Sequence, residues 1–196
     1  MFFTVALFLL SCQKELDSLD STNPGINPVL MKPKIGTTWT YRYDTFYSFG
    51  GLISSVTVVH KAISEETYGG EAWLNVIDTA TNTTVYLLNV KTGGLYQYAN
   101  NAAYLFCKDS AQLNDTYVSY NEGAPETFVV KGVGDSLPGY LGTLAVNYYE
   151  GTKGSDLIDE IWYNQYQWIV QRVIYFRTLS GTYYRRHAMY LTQIKY

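Results

Sequence analysis

Few residue types in this 196-residue chain could carry out chemistry, and their spacing narrows the choice further. The two histidines, His60 and His187, each stand on a stretch that reads as strand, among apolar neighbours. No H-E-x-x-H, paired cysteine ligands, phosphate-binding glycine loop or nucleophile elbow occurs, so no metal site and no cofactor are expected. The adjacent acids Glu65-Glu66 and Asp159-Glu160 would point to opposite faces of a strand, so neither pair alone forms a two-carboxylate hydrolytic site. A hydrolase would need acids from distant parts of the chain. The expectation is a protein that binds rather than catalyses.

Aromatic residues are the surplus: 20 Tyr, 8 Phe and 4 Trp make 16% of the chain. Flat rings with a polar tip stack sugars and hold amphiphiles at low entropic cost, which makes Trp39, Tyr41, Trp73, Trp162 and Trp168 candidate ligand contacts. The competing role for each is packing, since cross-strand aromatic pairs stabilise a sheet by about 0.2 to 1 kcal/mol without any ligand. Arg172 falls in register with Trp168, Val170, Ile174 and Phe176, which makes it a candidate inward cation facing a ligand or a carboxylate. Residues 161–196 carry five basic residues and no acid, whereas residues 1–160 carry nine basic and seventeen acidic ones. The terminal strands therefore either pair with acidic ones or present a face suited to anionic glycans or lipid head groups. A net charge of −3 and the lack of a basic run exclude a nucleic-acid partner.

The elements that position these residues read as strands. Charged residues are only 16% of the chain, and Val, Ile, Thr and Tyr runs are parted by turn signals about every 8 to 12 residues, the pattern of an antiparallel meander. Trp39, Tyr41 and Tyr43 alternate with Thr38, Thr40 and Arg42. Gly50-Gly51, Gly69-Gly70 and Gly93-Gly94 mark turns, and residues 159–164, 168–178 and 182–196 read as three closing strands. Residues 100–113, with Ala102, Ala103, Leu105, Phe106 and Ala111, leave room for one short helix. The fold class is all-β, mainly antiparallel, as a curved sheet, half-barrel or barrel, in a single domain over residues 34–196. Cys107 reads as a small buried hydrophobe.

The N-terminus reads differently. Residues 2–11 form an apolar run too short to span about 30 Å of hydrocarbon, and it ends at Cys12 behind Ser11. Leu9-Leu10-Ser11-Cys12 resembles a lipobox, which implies removal of residues 1–11 and acylation of Cys12. Gln13-Lys14-Glu15 with Asp17 is similar to the signal that follows the cysteine in Bacteroidetes-type lipoproteins exported to the cell surface. Residues 12–33, with three prolines, read as a tether spanning roughly 25 Å. The Gly36-x-x-Trp39-x-Tyr41 opening and the strand, turn, long strand, Gly turn, final strand layout of the C-terminus resemble the same lipoproteins, whose function is unassigned. Those relatives commonly fold as a half-barrel like the periplasmic lipoprotein carriers, sometimes closed by a short helix. A glycine is expected from them near Gln167 or Trp168, where this chain has none.

Seven of the nine Asp residues precede Ser or Thr, against about one or two expected from composition. Ser18, Ser21, Thr79, Ser110 and Ser136 resemble the O-glycosylation motif of Bacteroidetes exported proteins; local turn chemistry accounts for the same pairs equally well. Together these readings imply a lipid-anchored outer-membrane protein, exposed at the cell surface. It would bind a glycan or lipid ligand, or present a surface to an envelope protein partner. If Cys12 is the anchor, Cys12→Ala abolishes incorporation of labelled palmitate and moves the protein out of the membrane fraction; retention there contradicts the assignment.

Overall fold

The computed structural model describes residues 32–121, 123–139 and 142–196. Cys12, the signal-peptide and tether segments up to residue 31, Ser18 and Ser21 lie outside these residues. The remainder forms one compact unit, Met31–Tyr196.

Twelve strands follow in order: β1 (Thr38–Phe46), β2 (Leu52–Tyr68), β3 (Glu71–Asp78), β4 (Thr83–Lys91), β5 (Gly94–Ala99), β6 (Ala102–Lys108), β7 (Thr116–Asn121), β8 (Ala124–Gly139), β9 (Gly142–Lys153), β10 (Leu157–Asn164), β11 (Trp168–Arg177) and β12 (Tyr183–Lys195). Alternation decides their faces. In β1, Trp39 and Tyr41 are buried while Arg42 is exposed, as a period of two requires. Neighbours in sequence pair antiparallel throughout, except β6 and β7, and β1 pairs with β12. The result is an antiparallel meander rolled into a nearly closed barrel with one unsealed seam, between β6 and β7.

Aromatic and charged side chains bridge that seam where ladder hydrogen bonds do not. Tyr104 stacks on Tyr120 at 5.1 Å between ring centroids, and the Tyr117 hydroxyl donates to the Phe106 carbonyl at 2.9 Å. Lys108 pairs with Asp115. The loop joining the two strands is drawn against the barrel end, where the Tyr163 hydroxyl donates to Asp109 at 2.8 Å and the Tyr149 hydroxyl donates to the Lys108 carbonyl.

One segment differs from the sequence reading. The short helix open to residues 100–113 is replaced by a hairpin: Asn100 and Asn101 adopt φ of 46° and 58°, so two consecutive left-handed residues turn the chain back and β6 pairs with β5. No described residue is helical. Pro125 and Pro138 stand near the ends of one bent strand, β8, where a missing N–H is tolerated. A register shift between Gly132 and Asp135 supplies the bend.

The seam sets a local test. Tyr117→Phe removes one buried hydrogen bond and should cost about 1 kcal/mol by urea unfolding. Amide exchange should accelerate in β6 and β7 and leave β1 and β12 unchanged; uniform acceleration would mean that the seam is not the weak line.

Candidate functional site

Eight-stranded barrels are filled by side chains, whereas larger ones enclose space. Here the large residues crowd one end. Trp39, Tyr41, Phe106, Phe128, Tyr149, Ile161, Tyr163, Trp168 and Ile169 form a continuous buried cluster. Beyond it a cavity of about 440 Å³ remains, lined by Tyr43, Val58, His60, Asp78, Val85, Tyr86, Gln97, Arg172, Ile174, His187, Ala188 and Met189. Both histidines of the chain thus meet in one space.

The floor is built from β1 and the start of β11. The Trp39 indole donates to the Gln167 carbonyl at 3.0 Å, and its ring stacks on Trp168 at 5.2 Å and 21°. The Tyr41 hydroxyl donates to the Ile169 carbonyl at 3.1 Å. Three successive residues are pinned by two side chains. Trp168 has φ of 65°, a left-handed conformation that is uncommon for a bulky residue and costs on the order of 1 to 3 kcal/mol. This is where the resemblance to envelope lipoproteins implies a glycine. A crevice of about 10 Å³ separates Trp39 and Trp168 from His60 and Tyr86, so the space narrows almost to contact there.

The walls carry polar groups in distinct states. Arg172 extends inward from β11 and is held by Asp159, its Nε at 2.9 Å and 3.2 Å from the two carboxylate oxygens and its Nη2 at 2.7 Å. Asp159 is fully buried, so the pair is an internal compensation, one of the two alternatives open for this arginine. His60 tilts against Tyr41 and Tyr86, and burial lowers its pKa below the ordinary 6.5 against an opposing pull from Asp78. His187 stacks on Tyr43 at 5.5 Å, with Thr45 Oγ1 at 3.5 Å from its Nδ1. The Gln97 Oε1 is buried and accepts no hydrogen bond among the described residues, and neither does the buried Trp168 indole N–H find an acceptor.

Of the candidate ligand contacts, Tyr41, Trp39, Trp168 and Arg172 fall in the lumen or its floor. Trp73 and Trp162 fall on the outside of the sheet. Trp73 is buried there beneath Tyr98, with Lys91 over its ring at 5.4 Å and its indole donating to the Tyr68 carbonyl. Trp162 stacks face to face on Tyr148 at 4.7 Å, and the Tyr148 hydroxyl donates to Glu160. Trp162 and Tyr148 are directly opposed across β10 and β9, whereas Trp73 and Tyr98 pack across the width of β4. As the alternation of a strand requires, Asp159 and Glu160 face opposite sides, the first inward and the second toward Tyr148. Residues 60, 187 and 97 belong to the cavity although sequence reading singled out none as a ligand contact; the only signal was the two histidines on apolar strands. Cys107 is fully buried, and its surroundings push the thiol pKa up, as suits an inert hydrophobe. Thr79, Ser110 and Ser136 are all exposed, while the preceding Asp78 and Asp109 carboxylates bond to the Ala80 amide and the Tyr163 hydroxyl.

No family model and no curated protein matches the chain. Among solved structures it is similar to a Bacteroides fragilis protein inferred to be exported, with a YmcC-like fold. The identity is 11% and the TM-score 0.48, over 85% of this chain and 98% of that one.

The state of His60 generates a pH dependence. A histidine with a folded pKa below its unfolded value takes up protons less readily when folded, so its cost is absent above about pH 6.5 and grows as pH falls below it. Urea midpoints of the wild type should therefore decline between about pH 7 and about pH 5 more steeply than those of His60→Gln. Parallel declines would place the titrating group elsewhere.

Proposed function

We propose that the chain is a non-catalytic binding module whose lumen takes a small amphiphilic ligand, lipidic or glycosidic, and that it acts at the cell envelope from a lipid anchor at Cys12. The observation that carries the reading is the cavity itself, about 440 Å³ with apolar walls at Val58, Val85, Ile174 and Met189. Its size falls in the range of about 300 to 1,000 Å³ typical of small-ligand sites.

The polar groups specify how such a ligand is held. Arg172 is already neutralised by Asp159, so the cavity does not demand an anion. The buried Gln97 oxygen calls for a donor, which a hydroxyl or amide of the ligand supplies. The His60 and His187 rings, with Tyr43 and Tyr86, offer edges for hydrogen bonds and faces for stacking. A neutral hydroxylated head with an apolar body suits this wall better than a free phosphate. The second reading, an interaction lipoprotein whose outer face meets an envelope protein, draws support from residues 52–58 of β2, which pair with β1 alone among the described residues.

The test is occupancy. Octyl glucoside should displace a naphthylamine fluorophore from the purified protein, and Val58→Trp, which enlarges a side chain of the cavity lining, should abolish fluorophore uptake while leaving the circular dichroism unchanged. Uptake that survives Val58→Trp would move binding off the lumen and sink the reading. Gln97→Leu should weaken octyl glucoside by about tenfold, the cost of one lost buried hydrogen bond.

A further inference from the structure

The end of the barrel formed by the β1–β2 and β11–β12 turns gathers exposed apolar side chains. β1 pairs with both β2 and β12, so the two hairpins stand side by side, with Thr45 opposite His187. The first tip carries Tyr47 and Phe49, stacked at 4.9 Å and 8°, followed by Leu52 and Ile53. Phe49 is 80% exposed and Leu179, at the second tip, is fully exposed. Such rings and branched chains normally seek burial, and single exposed apolar residues need no account, but five on two adjacent tips form a patch.

Three guanidiniums surround it. Arg177 donates to the Gly181 carbonyl, Arg186 donates to the Phe46 carbonyl at 3.2 Å, and Arg185 lies over the Phe46 ring at 5.6 Å and hydrogen-bonds Tyr175, beside Glu160. Among the described residues none of the three is paired with a carboxylate, in contrast to Arg172 deeper in the barrel. The charge excess of the C-terminal segment is therefore compensated inside and left open at this end.

We infer that the β1–β2 and β11–β12 tips form a bilayer-docking end that seats on anionic lipid head groups. Phe49, Leu52, Ile53 and Leu179 enter the head-group and acyl boundary, and Arg177, Arg185 and Arg186 meet phosphates. Apolar side chains ringed by arginine are what an interface with an apolar interior and a phosphate rim neutralises. An added protein strand is the rival occupant, because residues 52–58 of β2 pair with β1 on one side and with no other strand among the described residues. Such a strand would satisfy backbone groups and leave the three guanidiniums unanswered. The inference does not depend on the lumen being occupied.

The full chain carrying Cys12→Ser, which has no acyl anchor, is sedimented with phosphatidylcholine vesicles with and without phosphatidylglycerol. The leader is common to all variants, so the differences between them are read. Binding should require phosphatidylglycerol, fall with salt, and weaken at least about tenfold in Phe49→Ser/Leu179→Ser. Arg177→Gln and Arg186→Gln should each cost about fivefold and flatten the salt dependence. Both tip positions are solvent-exposed turns, and circular dichroism confirms that the variants fold. Equal sedimentation of wild type and tip variant, or binding indifferent to phosphatidylglycerol, overturns the inference. So does a dimer in light scattering that Phe49→Ser/Leu179→Ser dissociates, since the tips would then be a contact between copies.

Discussion

The pairing of β1 with β12 is the constraint from which the cavity follows. Every other ladder in the described residues joins strands that are neighbours in sequence, whereas this one brings Thr38 opposite Lys195. The entropic cost of closing so long a loop grows only slowly with its length, but it must be met before distant contacts form, which marks closure as a late and slow event in folding. What secures it is aromatic. Trp39 and Tyr41 reach across to Gln167 and the first two residues of β11, and Trp168 is held there in a left-handed conformation.

That same contact decides where space is left. With the Trp39–Trp168 stack as a floor, the big residues of β8, β9 and β10 fill one end, and the other is lined by shorter side chains and by histidines. Into this wall the fold places an ion pair, Arg172 with Asp159. Desolvating two charges offsets most of their attraction, so the pair is weak as a source of stability, yet removing one partner would leave a buried charge and cost about 3 to 5 kcal/mol. Its effect on the cavity is to supply a polar surface without a net charge. The arginines nearer the rim have no such carboxylate partner, so the hairpin tips are basic, whereas the lumen carries the paired Arg172 and the Asp78 carboxylate.

Much of this was legible in the residues. The alternation of Trp39, Tyr41 and Tyr43 with polar residues fixed the inward face of β1, and the glycine pairs located three hairpins. The inward course of Arg172 also followed from its register with Ile174. Other features were hidden because a bulge changes which residues share a face. In β11, Trp162 pairs with Gln171 but Tyr163 pairs with Ile169, so Val170 is skipped and the even-numbered face is broken above Trp168. Trp73 and Trp162 were candidates on residue type alone, and type does not tell the inside of a barrel from its outside. Paired asparagines made a turn where alanines had left room for a helix, since two φ values above zero outweigh weak helical propensity. The cavity histidines came from strands far apart in sequence, and only closure brings them together.

The central claim is that ligand enters the lumen rather than lying on the aromatic outer face. Proton–nitrogen spectra of the four tryptophan indoles, recorded while octyl glucoside is added below its micellar concentration, separate the two, because Trp39 and Trp168 line the floor and Trp73 and Trp162 lie outside. The account requires the Trp168 resonance, whose N–H has no acceptor among the described residues, to move with a saturable curve while Trp73 and Trp162 stay fixed. Saturable shifts confined to Trp73 and Trp162 would contradict it.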